Sequence, residues 1–339
     1  MYPKLMYESA DCYGLVYYPR LLSIPFSGRL DENYEWLASL YGLSYKRIMP
    51  SNPFDSKAAW EEYINRIWSY LEQGVAIQTW RSWGESKEES GKIYTDAGIR
   101  PFWWEGIESS HRPQQHALVI VGLDKSKGIV YLNDPGCGWF GKGEYEQMTL
   151  DNFRAIVEDL PLMTRYCLRV FTRGNVPAKD QSLIEKMVQQ RILKKLKGDA
   201  AVYDKTKENC LYGLKGLEEF KNDLLPGEFA RILEERMQKA KINPSEVLSY
   251  LNMGLYQHSY IISIAAEYLE SESKEQEWRW LSRLHILYEK LYILNARLIS
   301  IFKDNYDLVG DLNKSEPTLL EMRNVLDELI NLVRYYPKV

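Results

Sequence analysis

Residues 115–134 constrain the fold more than any other stretch. Ala117-Leu118-Val119-Ile120-Val121 is an uninterrupted apolar run, which reads as a strand buried on both faces of a sheet. Asp124-Lys125-Ser126-Lys127-Gly128 is turn-forming, and Ile129-Val130-Tyr131-Leu132 supplies the returning strand, so the segment predicts a β-hairpin. His116 begins the first strand and Asp134 finishes the second. With the turn centred near Ser126, residues whose numbers sum to about 252 stand opposite each other. Asp134 then faces Leu118, one diagonal step from His116, and diagonal neighbours on one face are about 7–8 Å apart at Cα. A register one residue off would put the two on opposite faces.

A histidine held by a carboxylate is a base with a fixed tautomer and orientation. The missing partner is a nucleophile, and the candidate is Cys12, in Ser9-Ala10-Asp11-Cys12-Tyr13-Gly14. A thiol becomes a thiolate near neutral pH beside an imidazolium or at a helix N-terminus. Each of these residues has a plainer reading. Histidines at strand edges are commonly structural, Asp-Pro-Gly is commonly a turn, and a lone cysteine commonly packs as a small apolar residue. The ordered set Cys12, His116, Asp134 carries the argument, not its members singly. Cys137 sits in a glycine-flanked turn and Cys167 inside a predicted strand, so both rank below Cys12. His111 falls in a loop. His258 and His285 fall on helices as packing or surface residues. Trp80, Trp83, Trp103, Trp104 and Trp139 bracket the hairpin, either as walls of a substrate groove or as core.

The surroundings of the hairpin mix helix and strand. Leu30 to Tyr41 and Lys57 to Glu72 have helical apolar spacing. Leu43–Ile48, Val75–Trp80 and Arg165–Thr172 read as strands, and Met148–Leu160 as a short helix. After Gly174-Asn175-Val176-Pro177 the strand pattern almost vanishes, and helical patterns fill 180–198, 200–224, 228–241, 244–271, 275–303 and 315–335. The breakers lie at Gly198, Pro226-Gly227, Asn243-Pro244 and from Gly310 through Pro317. The expected architecture is therefore an α+β domain over 1–175 followed by an all-helical domain over 176–339, with no fixed-period repeat.

Composition limits the function classes. The net charge of −4 and the lack of basic residues interleaved with aromatics argue against nucleic-acid binding. The most basic run, Arg191 to Lys197, reads as the solvated face of a helix. No apolar stretch reaches the roughly 18 residues of a membrane span, and Glu8 and Asp11 break up any secretory leader. The four cysteines lack CxxC spacing, so neither zinc nor a disulfide framework is expected, and reduced thiols in the cytoplasm are. No dinucleotide, phosphate-loop or metal signature implies a cofactor.

Three segments together resemble a known family. Leu71-Glu72-Gln73-Gly74-Val75-Ala76-Ile77, Gln115-His116-Ala117-Leu118-Val119-Ile120-Val121-Gly122 and Val130-Tyr131-Leu132-Asn133-Asp134-Pro135 are similar to the conserved strands of C39-like papain-fold proteins. A papain-like domain followed by a helical one resembles the butirosin biosynthesis protein H family. The resemblance implies a papain-like fold, with Cys12 as nucleophile, His116 as base and Asp134 as orienting residue. It also implies acyl transfer from a carrier-protein thioester to an amine, or in the wider group peptide or amide hydrolysis. C39-like peptidases carry a glutamine about six residues before the cysteine that helps form the oxyanion hole, where this chain has Met6-Tyr7-Glu8. Either another group serves as donor, with Gln78 and Gln114 the candidates, or the site is weak or dead. The alternative is a non-catalytic binding or scaffold protein on the same fold. A third reading is assembly through the helices of 244–303, and the oligomeric state is left open.

Overall fold

The computed structural model describes residues 4, 7–8, 15–24, 31–82, 115–133, 146–160, 164–199, 210–240, 243–302 and 308–335. In chain order the elements are β1 (Val16–Tyr17), α1 (Asp31–Leu40), β2 (Leu43–Ile48), α2 (Ser56–Glu72), β3 (Ile77–Ser82), β4 (Gln115–Asp124), β5 (Ile129–Asn133), β6 (Glu146–Thr149), α3 (Leu150–Glu158) and β7 (Leu168–Arg173). They continue with α4 (Gln181–Lys197), β8 (Leu211–Tyr212), α5 (Gly213–Asp223), α6 (Pro226–Ala240), α7 (Pro244–Ser271), α8 (Glu275–Ile301) and α9 (Leu308–Arg334). The fold is mixed α+β. Residues 42–177 form one compact unit, and residues 1–41 together with 178–339 form another. The expected linker at 174–177 falls at a unit boundary, whereas the first 41 residues group with the helices and not with the sheet. The physical reason is in the core: Tyr7, Leu15, Tyr17, Leu22, Ile24 and Leu40 are buried in one cluster with residues of α4 to α9.

The sheet unit is a six-stranded antiparallel sheet in the order β2-β7-β3-β4-β5-β6. Its core lies on one face. Ala59, Tyr63 and Ile67 of α2 and Phe153, Ile156 and Val157 of α3 pack with Ile77, Leu118, Ile120, Val130, Leu132, Leu168 and Val170. Asp55 caps α2 through the Ala58 N–H, and Thr149 caps α3 through the Asn152 N–H, each satisfying a donor the helix start leaves open. The rings of Trp60, Tyr63, Phe153 and Tyr166 meet at centroid distances of 5.6–6.3 Å. The opposite face carries Tyr45 against Phe171 and the Arg169 guanidinium over the Trp80 ring at 4.9 Å.

The helical unit is organised by α7 and α8. Asn295 Nδ2 donates to the Leu248 carbonyl at 2.8 Å, the His258 ring stacks on Tyr288, and His285 Nδ1 lies 3.0 Å from Ser259 Oγ. Partner numbers rise in one helix as they fall in the other, so the two run antiparallel. Asn243, Pro244 and Glu246 form a capping box at the start of α7, as the sequence pattern favours. β1 pairs antiparallel with β8, Val16 opposite Tyr212. Gly213 follows at φ +54, and a Cβ there would run into the Leu196 carbonyl oxygen. Only glycine fits that crossing. The helix expected over 200–224 thus begins at Gly213, and residues 200–209 lie outside the described part.

Two expectations about the helices are corrected. Lys195 is fully buried, donating to Asn33 Oδ1 at 3.1 Å, and Arg191 donates to the same oxygen at 2.7 Å while stacking on Trp36. Of the Arg191–Lys197 run, Lys194 and Lys197 are exposed as a solvated face would be, while Arg191 and Lys195 are not part of it. Lys195 falls seven residues after Val188, on the stripe that Val188, Ile192 and Leu196 bury. Gly310 through Pro317 do not break the chain between helices either, because α9 runs through them. Leu319, Met322, Leu326 and Leu329 are buried beyond Pro317, and that packing outweighs the one backbone bond proline removes.

The ends of the sheet unit meet. The Gly174 N–H donates to the Gly42 carbonyl at 2.9 Å, and the Lys179 N–H to that of Leu40 at 3.0 Å. The N-terminal strand is held by Asp223, which accepts from the Tyr17 hydroxyl at 2.7 Å and the Arg20 N–H at 2.8 Å. Asp223 is 2% exposed. Burial raises its pKa above the usual 3.8, the two hydrogen bonds opposing the rise. Its contribution to stability is thus fully present below the unfolded pKa and is lost as pH rises through the folded one. Asp223→Asn keeps an acceptor for Arg20 and abolishes this dependence. Asp223→Ala orphans the Tyr17 hydroxyl and costs about 1–3 kcal/mol. Denaturant unfolding of the three proteins between pH 3 and pH 8 tests both outcomes.

Candidate functional site

The hairpin of β4 and β5 forms as expected, but its register comes from an extra residue. Next to the turn, Asp124 pairs with Ile129, Leu123 with Val130 and Gly122 with Tyr131. A bulge then intervenes, and Ile120 pairs with Leu132 and Val119 with Asn133. The turn alone therefore gives an odd sum, and Val121, the residue left over, restores the even one. This lets Leu123 pack on the core side of Val130 while Leu118 and Ile120 remain buried on the same side. Gly122 permits the crossing, since a Cβ there would stand 3.0 Å from the Tyr131 ring. The turn is fixed by Asp124, which accepts from the Ser126 hydroxyl and N–H and from the Lys127 N–H. The Ser126 hydroxyl and then the Lys127 N–H hold its carboxyl down at about 2.

The strand is not buried on both faces. Leu118 and Ile120 are buried, and Ala117, Val119 and Val121 are half-buried. Among the described residues, the buried side chains of α2 and α3 belong to the core on the Leu118 side.

The backbone of His116 lies in β4, directly opposite Arg81 of β3. Arg81 is fully buried. Two residues on, Leu118 stands opposite Thr79, whose hydroxyl is 2.7 Å from that of Tyr63 and donates to the Cys167 carbonyl at 2.9 Å. Burial raises the Tyr63 pKa far above its usual value, so this hydroxyl stays neutral. Asp134 follows the last paired residue of β5 and lies outside the described residues, as do Cys12, Cys137, His111, Gln114, Trp83, Trp103, Trp104 and Trp139. Positions 116 and 134 fall on one face if the 252 register continues one step past Asn133.

The remaining candidates have structural surroundings. Cys167 is buried ahead of β7, and Arg47 Nε donates to its sulfur at 3.4 Å. Cys210 donates to the Tyr212 hydroxyl. His258 and His285 join α7 to α8, as described above. Gln78 pairs with Val119 and Arg169 on the face opposite Thr79, so it is not positioned to serve a centre on the His116 side. Glu8 is buried and accepts from the Tyr41 hydroxyl. An open groove bounded by Lys46, Ile48, Arg66, Tyr70 and Thr172 sits at the β2–β7 edge, away from β4 and β5. The residue that sequence reasoning missed is Arg81, which looked like the start of a polar loop.

Comparison with models of known protein families gave no match, and comparison with curated proteins gave none at a significant level. No helix among the described residues is long and apolar enough to cross a membrane. Among the same residues no group of three His, Cys, Asp or Glu side chains is placed to hold a metal ion.

Deleting Val121 should heal the bulge, since Gly122 opposite Tyr131 and Ile120 opposite Leu132 then follow one another in a regular ladder with Leu118, Ile120 and Leu123 all on the core side, and it should cost no more than about 1 kcal/mol. Inserting an alanine between Val121 and Gly122 instead adds a second unpaired residue or turns Leu118 and Ile120 off the core side, and exposing those two large apolar side chains costs at least about 3 kcal/mol. Urea unfolding monitored by tryptophan fluorescence distinguishes the two.

Proposed function

We propose that this chain is a cysteine-dependent acyl-transfer enzyme on a papain-like fold, related in plan to the butirosin biosynthesis protein H family. Cys12 attacks the acyl carbon of a thioester, ester or amide while its proton passes to His116, which hands it to the departing thiol, alcohol or amine as the old acyl bond breaks. An amine or water then attacks the acyl-enzyme and gives a proton to His116, which passes it to the Cys12 sulfur as that thioester breaks, and Asp134 keeps the imidazole in one tautomer. The acyl group arrives on a carrier protein or within a peptide. The observation that carries this reading is the β4–β5 register beyond Val121, which is the one a His116–Asp134 pair requires.

A non-catalytic binding role on the same scaffold has one specific observation in its favour. The Met6-Tyr7-Glu8 stretch holds no glutamine, and Glu8 is an acceptor already engaged by Tyr41. An oxyanion donor is worth about 10²–10³ in turnover where it has been removed elsewhere, so this scaffold without a substitute donor would bind acyl groups without turning them over.

Iodoacetamide alkylation against pH, read by peptide mass spectrometry, decides between the two. The enzyme reading expects Cys12 to react about tenfold or more faster than Cys137, Cys167 and Cys210 below pH 7, with the advantage lost in His116→Ala. Cys12 labelling no faster than that of Cys210, which is half-buried, would favour the binding protein. Retention of full turnover by Cys12→Ala on any substrate found would end the enzyme reading.

A further inference from the structure

We propose that the groove at the β2–β7 edge binds a small organic anion, a carboxylate or phosphate head on an apolar or aromatic body. Its walls belong to the sheet unit alone. Val170 of β7 is buried in the core under α2. Lys46 stands directly opposite Val170, and Thr172 lies two residues further along β7, so both share the face that α2 covers. On α2, Arg66, Tyr70 and Gln73 recur at helical spacing and form the facing wall. The cavity between them is about 620 Å³, a size that small ligands fill. Ile48 and the Tyr70 ring, both packed against the core, make one side of it apolar.

The rest of the lining offers donors. Among the described residues, the Lys46 ammonium and the hydroxyls of Tyr70 and Thr172 form no hydrogen bond or ion pair. Arg66 donates to the Met49 carbonyl at 2.9 Å and to Glu62, and its fork has further N–H groups to give. Glu62 stands behind Arg66 and is already committed, accepting from the Ser51 N–H and hydroxyl as well. It balances Arg66, and Lys46 carries the excess positive charge of the groove. No Asp or Glu is among the described lining residues. The last carbonyls of α2, which would repel an anion, are engaged: that of Ser69 by the Gln73 side chain at 2.7 Å, that of Tyr70 by the Gln73 and Val75 N–H groups, and that of Leu71 by Gly74. A cation and hydroxyl donors beside an apolar wall suit an oxyanion on an apolar body. Lys46 also lies on an edge strand, where a lysine alone discourages pairing with another chain. Such a guard needs neither the donors of α2 and β7 nor a cavity between them.

The test is an NMR titration of the full chain with benzoate, phenyl phosphate and the neutral benzamide, in wild type, Lys46→Ala and Lys46→Arg. Lys46 is exposed, so both variants should fold as wild type does. Both anions should shift the amides of Lys46, Thr172 and Gln73, with dissociation constants in the millimolar range, and benzamide should not. Lys46→Ala should weaken anion binding about fivefold, Lys46→Arg should retain it, and added salt should weaken it in all three proteins. Tighter binding of phenyl phosphate than of benzoate assigns a phosphate head, and the reverse a carboxylate. Absence of anion-dependent shifts at those amides, equal binding of benzamide, or unchanged affinity in Lys46→Ala overturns the proposal and leaves Lys46 as a guard of the sheet edge.

Discussion

The sheet depends on one residue too many in β4. An antiparallel pair without a bulge keeps a single parity, so the apolar positions of β4 would have to be all odd or all even to face Val130 and Leu132. They are not, because Leu118 and Ile120 are even and Leu123 is odd. Looping out Val121 reconciles them, at the cost of a ladder position and with a glycine beside it to clear the Tyr131 ring. Bulges commonly re-aim side chains near sites of chemistry. Here the same slip that keeps Leu118 and Ile120 in the core also sets Val119 opposite Asn133 at the end of the hairpin.

The helical unit is held in register differently, by polar groups buried in its seams. Asp223 accepts from Tyr17 and Arg20, Asn33 gathers Lys195 and Arg191, Asn295 ties α8 to the backbone of α7, and His258 lies flat against Tyr288. Apolar stripes on long helices slide past one another at small cost. A buried amide or carboxylate has one place where its partners meet it, and every other alignment leaves it unsatisfied. These contacts therefore specify alignment more than they add stability.

Much of this was legible in the residues. The hairpin, α1, α2, α7, α8 and the 174–177 boundary follow from apolar period and from turn and capping residues that act locally. The misreadings share a cause, which is that they depend on something distant in the chain. Lys195 looked solvated because its run is basic, and only Asn33, far upstream, shows why it is buried. Pro317 looked like a stop because propensity is local, while the packing that carries α9 through it is not. Arg81 drew no attention because its partner strand enters after an interval of more than thirty residues. The sum of 252 read from the residues holds at Ile120–Leu132 and Val119–Asn133, but for a different reason from the one expected: the turn gives the odd register and the bulge corrects it.

The sheet unit is an insertion whose two ends lie a hydrogen bond apart, between the first 41 residues and the rest of the helical unit. Everything residues 42–177 need for their own core is present once β7 has been made. Tyr17, by contrast, waits for a partner 206 residues further along the chain, which at about 5–20 residues per second is roughly 10–40 s of synthesis. The chain is thus built to fold from the middle outward on the ribosome. Its first residues, apolar and uncovered during that interval, are the part of the nascent protein with most need of a chaperone.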